Sequence, residues 1–354
     1  MIFLLDFYKG KRIIVTGHTG FKGTWLCKML IDAGAQVTGY ALKPETSFFD
    51  ISNIEKCMNS VTGDIRDLNL LKKTFNSCKP EIAIHLAAQP LVRYSYTNPS
   101  YTYETNVIGT VNFLECIRES STVRSALNVT TDKVYQNNEW EWGYREDDKL
   151  DGYDPYSNSK SCSELVTFCY KRSFFRNREL AVSTVRSGNV IGGGDFSKDR
   201  IIPDCIRAVE QSQDILVRNP HSVRPYQHVL DPLCAYLLIM EKQFHNVEYA
   251  GHYNVGPKES DCVTTGDLVE LFCRKWGGDI RWLTVTNSGP HESSFLRLDC
   301  SRIRRSFGWE PRWNIEKAIE KTVEWTRAHI NGESIQAVME TQIQDFFGIS
   351  AEYG

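Results

Sequence analysis

The sequence predicts an α/β protein: a doubly wound parallel sheet of the Rossmann type with a smaller carboxyl-terminal α/β lobe. Three observations predict it. A Gly-x-x-Gly-x-x-Gly loop (Gly17, Gly20, Gly23) separates a strand-like run from a helix-like run near the amino terminus. Apolar strand-like runs then alternate with helical patterns as far as Arg186. Beyond Arg186 the stretch Ser187 to Asp195 is too glycine-rich for regular structure and marks a second lobe. Residues 1–186 are therefore read as the sheet domain, carrying the catalytic residues. Residues 187–354 are read as mainly substrate-binding and partly interleaved with it.

In order, Lys11 to Val15 reads as the first strand and Thr24 to Leu30 as the helix after the loop. Glycines at this junction allow a tight turn and let backbone approach a pyrophosphate, which the helix amino terminus attracts. Gly17, His18, Gly20, Phe21, Lys22 and Gly23 are thus candidate dinucleotide contacts. The second strand, Gln36 to Tyr40, runs into Ala41-Leu42-Lys43-Pro44 with no acid to meet an adenosine ribose. That leaves the choice between NAD and NADP open. A third strand, Val61 to Ile65, brings Asp64 and Ile65 to an adenine edge, unless Asp64 caps the helix before Leu68. The fourth, Ile82 to Ala88, ends in Leu86, Ala87 and Ala88, where small residues let backbone pass close to a cofactor. Gln89 and Arg93 follow at the pocket edge.

Pro99 to Glu119, containing Asn106, and Tyr156 to Phe174 read as long helices. Both carry apolar residues around more of their circumference than one buried face needs, Val107, Val111, Phe113, Leu114 and Ile117 in one and Leu165, Val166, Phe168 and Cys169 in the other. A helical homodimer interface is expected. In the second lobe, Arg218 to Val229 is basic with interspersed aromatics, and Arg218 or Arg224 is placed to bind substrate phosphates, the alternative being a solvated loop. Asp231-Pro232 reads as a helix cap and Thr264-x-x-Asp267 as a capping box before a helix Leu268 to Trp276. Ser306 to Pro311 ends the helix after that.

Composition narrows the function classes. A net charge of -3 and a pI near 6.3 give no general field for nucleic acid or an anionic membrane, so any anion binding is local. No apolar stretch approaches the roughly eighteen residues of a spanning helix, and no secretion signal is apparent before Asp6, so a cytoplasmic protein is expected. The eleven cysteines stand singly, without metal-ligand spacing or a disulfide framework.

The chemistry concentrates between Val129 and Lys160. Ala126 to Thr130 reads as a buried parallel strand with Thr131, Asp132 and Lys133 at its carboxyl end, the edge where open α/β sheets bind ligands. Tyr156 and Lys160 lie one helical turn apart on a shared face. A phenol of pKa about 10 needs roughly 4 kcal/mol of preferential stabilisation to act as a base near neutrality, and a neighbouring ammonium has the right sign.

Together the glycine loop, Thr131 and Tyr156-x-x-x-Lys160 resemble the extended short-chain dehydrogenase/reductase family over essentially the whole chain. Within it, Thr131-Asp132 followed by an ionisable residue is similar to the nucleotide-sugar 4,6-dehydratases, whose commoner members carry glutamate where this chain has Lys133. Thr16 to Gly23, Ala87 to Arg93 and Arg224 to Val229 extend the resemblance, and a cytidine base in the substrate rests on it alone. It implies NAD held tightly and returned unchanged, with Asn106 added to the cofactor contacts, and a nucleotide-sugar substrate met by Gln89, Arg93, Asn189, Arg218 and Arg224. It also implies a homodimer and a product used for deoxysugars of surface polysaccharide such as lipopolysaccharide O-antigen. By the same resemblance Tyr156 takes the 4-hydroxyl proton, Lys160 supports the phenolate and the nicotinamide ribose, Thr131 binds the reacting oxygen, Asp132 protonates the leaving 6-hydroxyl and Lys133 removes the C5 proton. A nucleotide-sugar 4-epimerase and a non-catalytic dinucleotide sensor are the alternatives. The Asp132-Lys133 pair argues against the first, and intact Tyr156 and Lys160 against the second.

Overall fold

The computed structural model describes residues 2–43, 48–285 and 295–349; Pro44, at the end of the second-strand reading, lies outside them. Its main sheet has seven parallel strands: β1 (Arg12–Thr16), β2 (Gln36–Ala41), β3 (Asn59–Thr62), β4 (Ile82–His85), β5 (Ser125–Thr131), β6 (Ala181–Ser187) and β7 (His252–Val255), in the order β3-β2-β1-β4-β5-β6-β7. Strand alternation splits the apolar residues between two cores. Ile13, Val15, Leu127, Val129 and Val185 face one way, with Trp25 and Leu30, while Ile14, Ala126 and Val182 face the other, with Phe113, Leu114 and Ile117. The order reverses between β1 and β4, which opens the crevice for a ligand at the carboxyl ends.

Two elements depart from the sequence reading of the sheet. β3 starts earlier and ends at Thr62, before Gly63, where a Cβ would lie 2.4 Å from the Tyr40 ring; its polar start is tolerated at the sheet edge. β7 was not anticipated. It comes from the second half of the chain, as does α3 (Leu230–His245), whose Leu233, Leu237 and Met240 join the first core. Residues 230–255 thus supply one helix and one strand to the main sheet and its first core.

Both long helices carry a π turn. One runs Pro99–Tyr103, Glu104–Ile108 (π) and Gly109–Glu119; the other is α2 (Pro155–Tyr170) followed by the π turn Lys171–Phe175. Phe113, Leu114 and Ile117 are core residues, so they do not serve an interface, whereas Ile108, Leu165, Cys169 and Phe174 are exposed.

The second lobe has its own core of Ile202, Ile215, Val217, Leu268, Phe272 and Ile319. Thr264 accepts the Asp267 N–H at 3.1 Å and its hydroxyl donates to the Asp267 carboxylate at 2.6 Å, opening the helix Thr265–Trp276. The helix Ser301–Phe307 ends on Gly308, whose φ of 64° suits the C-cap turn. Asp231 is not a cap. It sits inside the first turn of α3, and its carboxylate instead accepts the backbone N–H of Arg312 at 2.6 Å.

Candidate active site

The glycine loop is held by backbone contacts close by. Gly17 has φ 75°, and a Cβ there would lie 2.6 Å from the Ala87 nitrogen; one on Gly23 would lie 2.1 Å from the Gly17 carbonyl. Gly20 meets nothing nearer than 3.4 Å, and no side chain caps α1 (Phe21–Asp32), which begins there. An open, uncapped helix start bounded by Leu86 and Ala87 fits a dinucleotide's pyrophosphate.

His18 turns away from this opening. Its Nε2 is 2.8 Å from Ser60 Oγ, its ring stands edge-on to Phe49, and it fills the space a Cβ on Gly39 would need, 2.2 Å away. Burial lowers its pKa to about 4, so the imidazole is neutral. A buried imidazole thus lies against the last part of β2, where the sequence lacked the ribose-binding acid, and Lys43 is exposed beyond it.

Other predicted contacts serve the scaffold. Asp64 is paired with Arg66 at 2.7 Å, which holds its carboxyl below the usual range, and the cap of the Leu68–Cys78 helix is Asp67. The Ile65 side chain is core, packed against Gly109. Gln89 was expected to reach a ligand. Its side-chain amide is instead used near its own turn, donating to the Leu91 carbonyl and Thr102 and accepting the Leu91 N–H. Asn106, in the π turn, accepts the Gln89 N–H at 2.8 Å and donates to the Gln89 carbonyl and Ser159, fixing the path of the chain after Ala88.

The proton-transfer residues do come together. Asp154 caps α2 by accepting the Ser157 N–H at 3.0 Å, Pro155 starts the helix, and Tyr156 and Lys160 face inward, both buried. Lys160 Nζ donates to the Val129 carbonyl at 3.2 Å. One turn on, buried Glu164 pairs with Arg186 at 3.0 Å and accepts from Thr130 and Thr184, tying α2 to β5 and β6. At the end of β5 the Thr131 hydroxyl lies close to the Tyr156 phenol and donates to Asp132 Oδ1 at 2.9 Å. Asp132 is 1% exposed, and its Oδ2 has no partner among the described residues. Lys133 Nζ stands 3.7 Å from Asp132 Oδ1 and donates to Asn189 Oδ1 at 3.3 Å.

The electrostatics differ from the simple expectation of a phenol acidified by Lys160. Burial pushes the Tyr156 phenol up to about 12, against the neighbouring Thr131 hydroxyl and the charge of Arg200. Burial also brings the Lys160 ammonium down to about 8. Lys22 reaches the same place from α1: its Nζ lies 3.5 Å from Ser187 Oγ, and burial with the charges of Arg200, Lys160 and Lys133 lowers it to about 7, against Asp132. Ser187 in turn hydrogen-bonds Tyr236. Arg200, Ser187 and Tyr236 were not singled out from the sequence, since they arrive from β6, the following loop and α3 with no local motif.

Of the substrate candidates, Arg93 and Arg218 approach one carboxylate, Asp199, at 3.8 and 3.0 Å. Arg224 is buried within the short strand Val223–Pro225. Phe21 lines the opposite wall against Gly192.

Comparison with known proteins follows this geometry. Residues 14–322 match the family model described as GDP-mannose 4,6 dehydratase. The chain is 44% identical over 349 residues to CDP-glucose 4,6-dehydratase of Salmonella typhimurium, covering 96% of this chain and 97% of that one. Its fold is similar to UDP-glucose 4-epimerase of Thermotoga maritima (TM-score 0.80, 22% identity, 90% of this chain and 99% of that one). It is also similar to dTDP-glucose 4,6-dehydratase of Bacillus anthracis in complex with NAD (TM-score 0.77, 22% identity, 91% and 98%).

Proposed function

The chain belongs to the GDP-mannose 4,6 dehydratase family, and we propose that it converts CDP-D-glucose to CDP-4-dehydro-6-deoxy-D-glucose and water. The observation that carries the reading is the buried carboxyl and the amine of Asp132 and Lys133, side by side at the end of β5, with Thr131 bonded to the carboxyl and close to the Tyr156 phenol. Epimerases and dehydratases share this fold at similar TM-scores. An epimerase has no use for an acid and a base beyond Thr131. The near full-length identity to a CDP-glucose enzyme supports cytidine as the base.

The reaction follows from what the sugar requires. C5 of a hexose is not acidic until C4 is a ketone; the C5 proton is then removable and the 6-hydroxyl can leave. NAD, when bound, would supply a reversible acceptor for the C4 hydride, which is needed again at C6. Gly17 to Gly23 would hold its pyrophosphate, and Lys160 its ribose. Tyr156 removes the O4 proton while Thr131 hydrogen-bonds that oxygen. Lys133, its amine held by Asn189, removes the C5 proton. Asp132 protonates the departing 6-hydroxyl, which leaves as water. A proton then returns to C5, so the sequence balances without net oxidation, and the enzyme is a hydro-lyase of deoxysugar nucleotide biosynthesis.

Arg93 and Arg218 are assigned to the substrate's diphosphate. A homodimer forms through the outward face of Ile108, Leu165, Cys169 and Phe174. Among the described residues no helix is long and apolar enough to cross a membrane, consistent with work in the cytoplasm on a soluble nucleotide sugar.

The test is incubation of the pure protein with CDP-glucose. The dehydratase forms a 4-keto-6-deoxy product without consuming cofactor. A CDP-hexose isomer would instead identify an epimerase, and no reaction a sensor.

A further inference from the structure

The loop between β6 and the helix Ile201–Glu210 carries a carboxylate in an unusual position. Asp199 has φ 58°, in the left-handed region that side chains other than Asn and Asp rarely adopt, and Asn and Gly would fit it more easily. Its Oδ1 is approached by Arg93 Nε at 3.8 Å and by Arg218 Nη2 at 3.0 Å. The two guanidiniums come from opposite sides of the cleft: Arg93 lies in the helix Val92–Thr97 after β4, and Arg218 follows the strand Ile215–Val217 of the second lobe. Two cations converging on one oxygen require an anion between them. All three side chains are about a third or more open to water, at 31%, 37% and 42% for Arg93, Arg218 and Asp199. Ion pairs this exposed hold weakly, and an anion of higher charge that presents several oxygens to planar guanidiniums competes well for them.

We propose that Asp199 is an internal stand-in for the substrate's diphosphate: it keeps Arg93 and Arg218 converged across the cleft and is displaced when the nucleotide sugar binds. This deepens the nucleotide-sugar reading and rests on it. Asp199 is a positioning residue, acting through the two arginines. It also sets the affinity of the site, because every diphosphate ligand must exchange with it. Arg200, the next residue, is anchored by Asp195 at 2.9 Å, so the exchange takes place next to a fixed point of the catalytic pocket.

The test is Asp199→Asn in the full-length protein, a change that suits the left-handed backbone and removes only the charge. Binding of inorganic pyrophosphate and of CDP is measured by calorimetry at two salt concentrations, together with KM for CDP-glucose. Releasing two exposed pairs should tighten pyrophosphate and CDP about five- to tenfold, lower KM, and steepen the salt dependence. Adding Arg93→Met or Arg218→Met should abolish the gain. Unchanged or weaker pyrophosphate binding by Asp199→Asn, with or without a lower melting temperature, overturns the proposal and leaves a simple tie between lobes. The pyrophosphate measurement needs no turnover. If the wild type fails to dehydrate CDP-glucose while Asp199→Asn still gains pyrophosphate affinity, the catalytic reading fails and the exchange stands. If turnover is present and the gain absent, the reverse holds.

Discussion

Two glycine-rich loops face each other across the crevice, and they are built differently. In the first, Gly17 and Gly23 are required by neighbours a few residues away or by the adjoining end of β4. In the second, a Cβ on Gly193 would lie 2.0 Å from the Trp325 ring and one on Gly194 2.5 Å from Phe48; Gly192 touches Val229 and Phe21. The first loop is a local motif and the second is shaped by side chains far along the chain. Yet the second delivers Asp195, Asp199 and Arg200 to the pocket. A cofactor cradle can be specified within one turn and helix, whereas the substrate wall depends on the packing of α4 (Ile315–Ile330), which carries Trp325, and of the helix Phe48–Ser52.

The contrast is sharpest in activity. Tyr156→Phe removes one hydroxyl from the locally specified pair, and turnover should fall at least about a hundredfold, the lower end of general acid-base contributions, with the circular dichroism spectrum unchanged. Arg200→Met, on the distant loop, should cost less. Because Arg200 lowers the phenol pKa, its loss should move the rising limb of the kcat profile to higher pH. A profile that does not move would exclude Arg200 from the electrostatics of the phenol.

Lys133→Met should also lose at least about a hundredfold in product formation, but at a different step. Oxidation at C4 does not need the amine, so reduced cofactor should accumulate, seen by its absorbance, and solvent deuterium should not enter C5 of recovered substrate. Normal elimination would make Lys133 a positioning residue and leave the base elsewhere.

The loops can also be broken separately. Gly23→Ala forces a Cβ against the Gly17 carbonyl, and overpacking of about 1–3 kcal/mol should weaken NAD binding roughly tenfold, read by titration. Trp325→Phe should leave NAD affinity alone, loosen the second loop and raise KM for CDP-glucose a few-fold. It loses no hydrogen bond, since Trp325 Nε1 has no partner among the described residues, and should cost roughly 1–2 kcal/mol in stability. A kcat effect larger than the KM effect would contradict this division of labour.

The same division explains what could be read in advance. Gly17 to Gly23, the buried β5 ending in Thr131 and the Tyr156–Lys160 spacing are short-range patterns, each carried by one loop, strand or helix. The side chains of Gln89 and Ile65 serve the turn and the core, a use that no short-range pattern marks. Arg200 and Tyr236 carry no local mark, and β7 lies sixty-odd residues beyond β6, after an intervening lobe segment. Lys22 was placed by its motif beside a pyrophosphate, yet its ammonium extends to Ser187 among the catalytic charges.

Asp231 is the smallest case of a long-range role hidden in a local pattern, and it gives a pH test. Its sequence neighbourhood suggested a cap, but the folded carboxyl is buried against the Arg312 backbone with Oδ2 unpartnered, and burial raises its pKa to about 7. A carboxyl whose folded pKa is raised holds a proton that the unfolded chain releases near pH 4. Its favourable protonated form is therefore fully present below the unfolded value and is lost as pH rises from about 4 through about 7. Asp231→Asn keeps an acceptor for the Arg312 N–H and cannot ionise. Relative to wild type it should gain stability at pH 8, by no more than roughly 2–4 kcal/mol, and gain little or none at pH 4. Urea melts at the two pH values measure the difference. Equal effects at both would mean that the folded and unfolded carboxyl titrate alike, with Arg312 and its neighbours offsetting what burial removes.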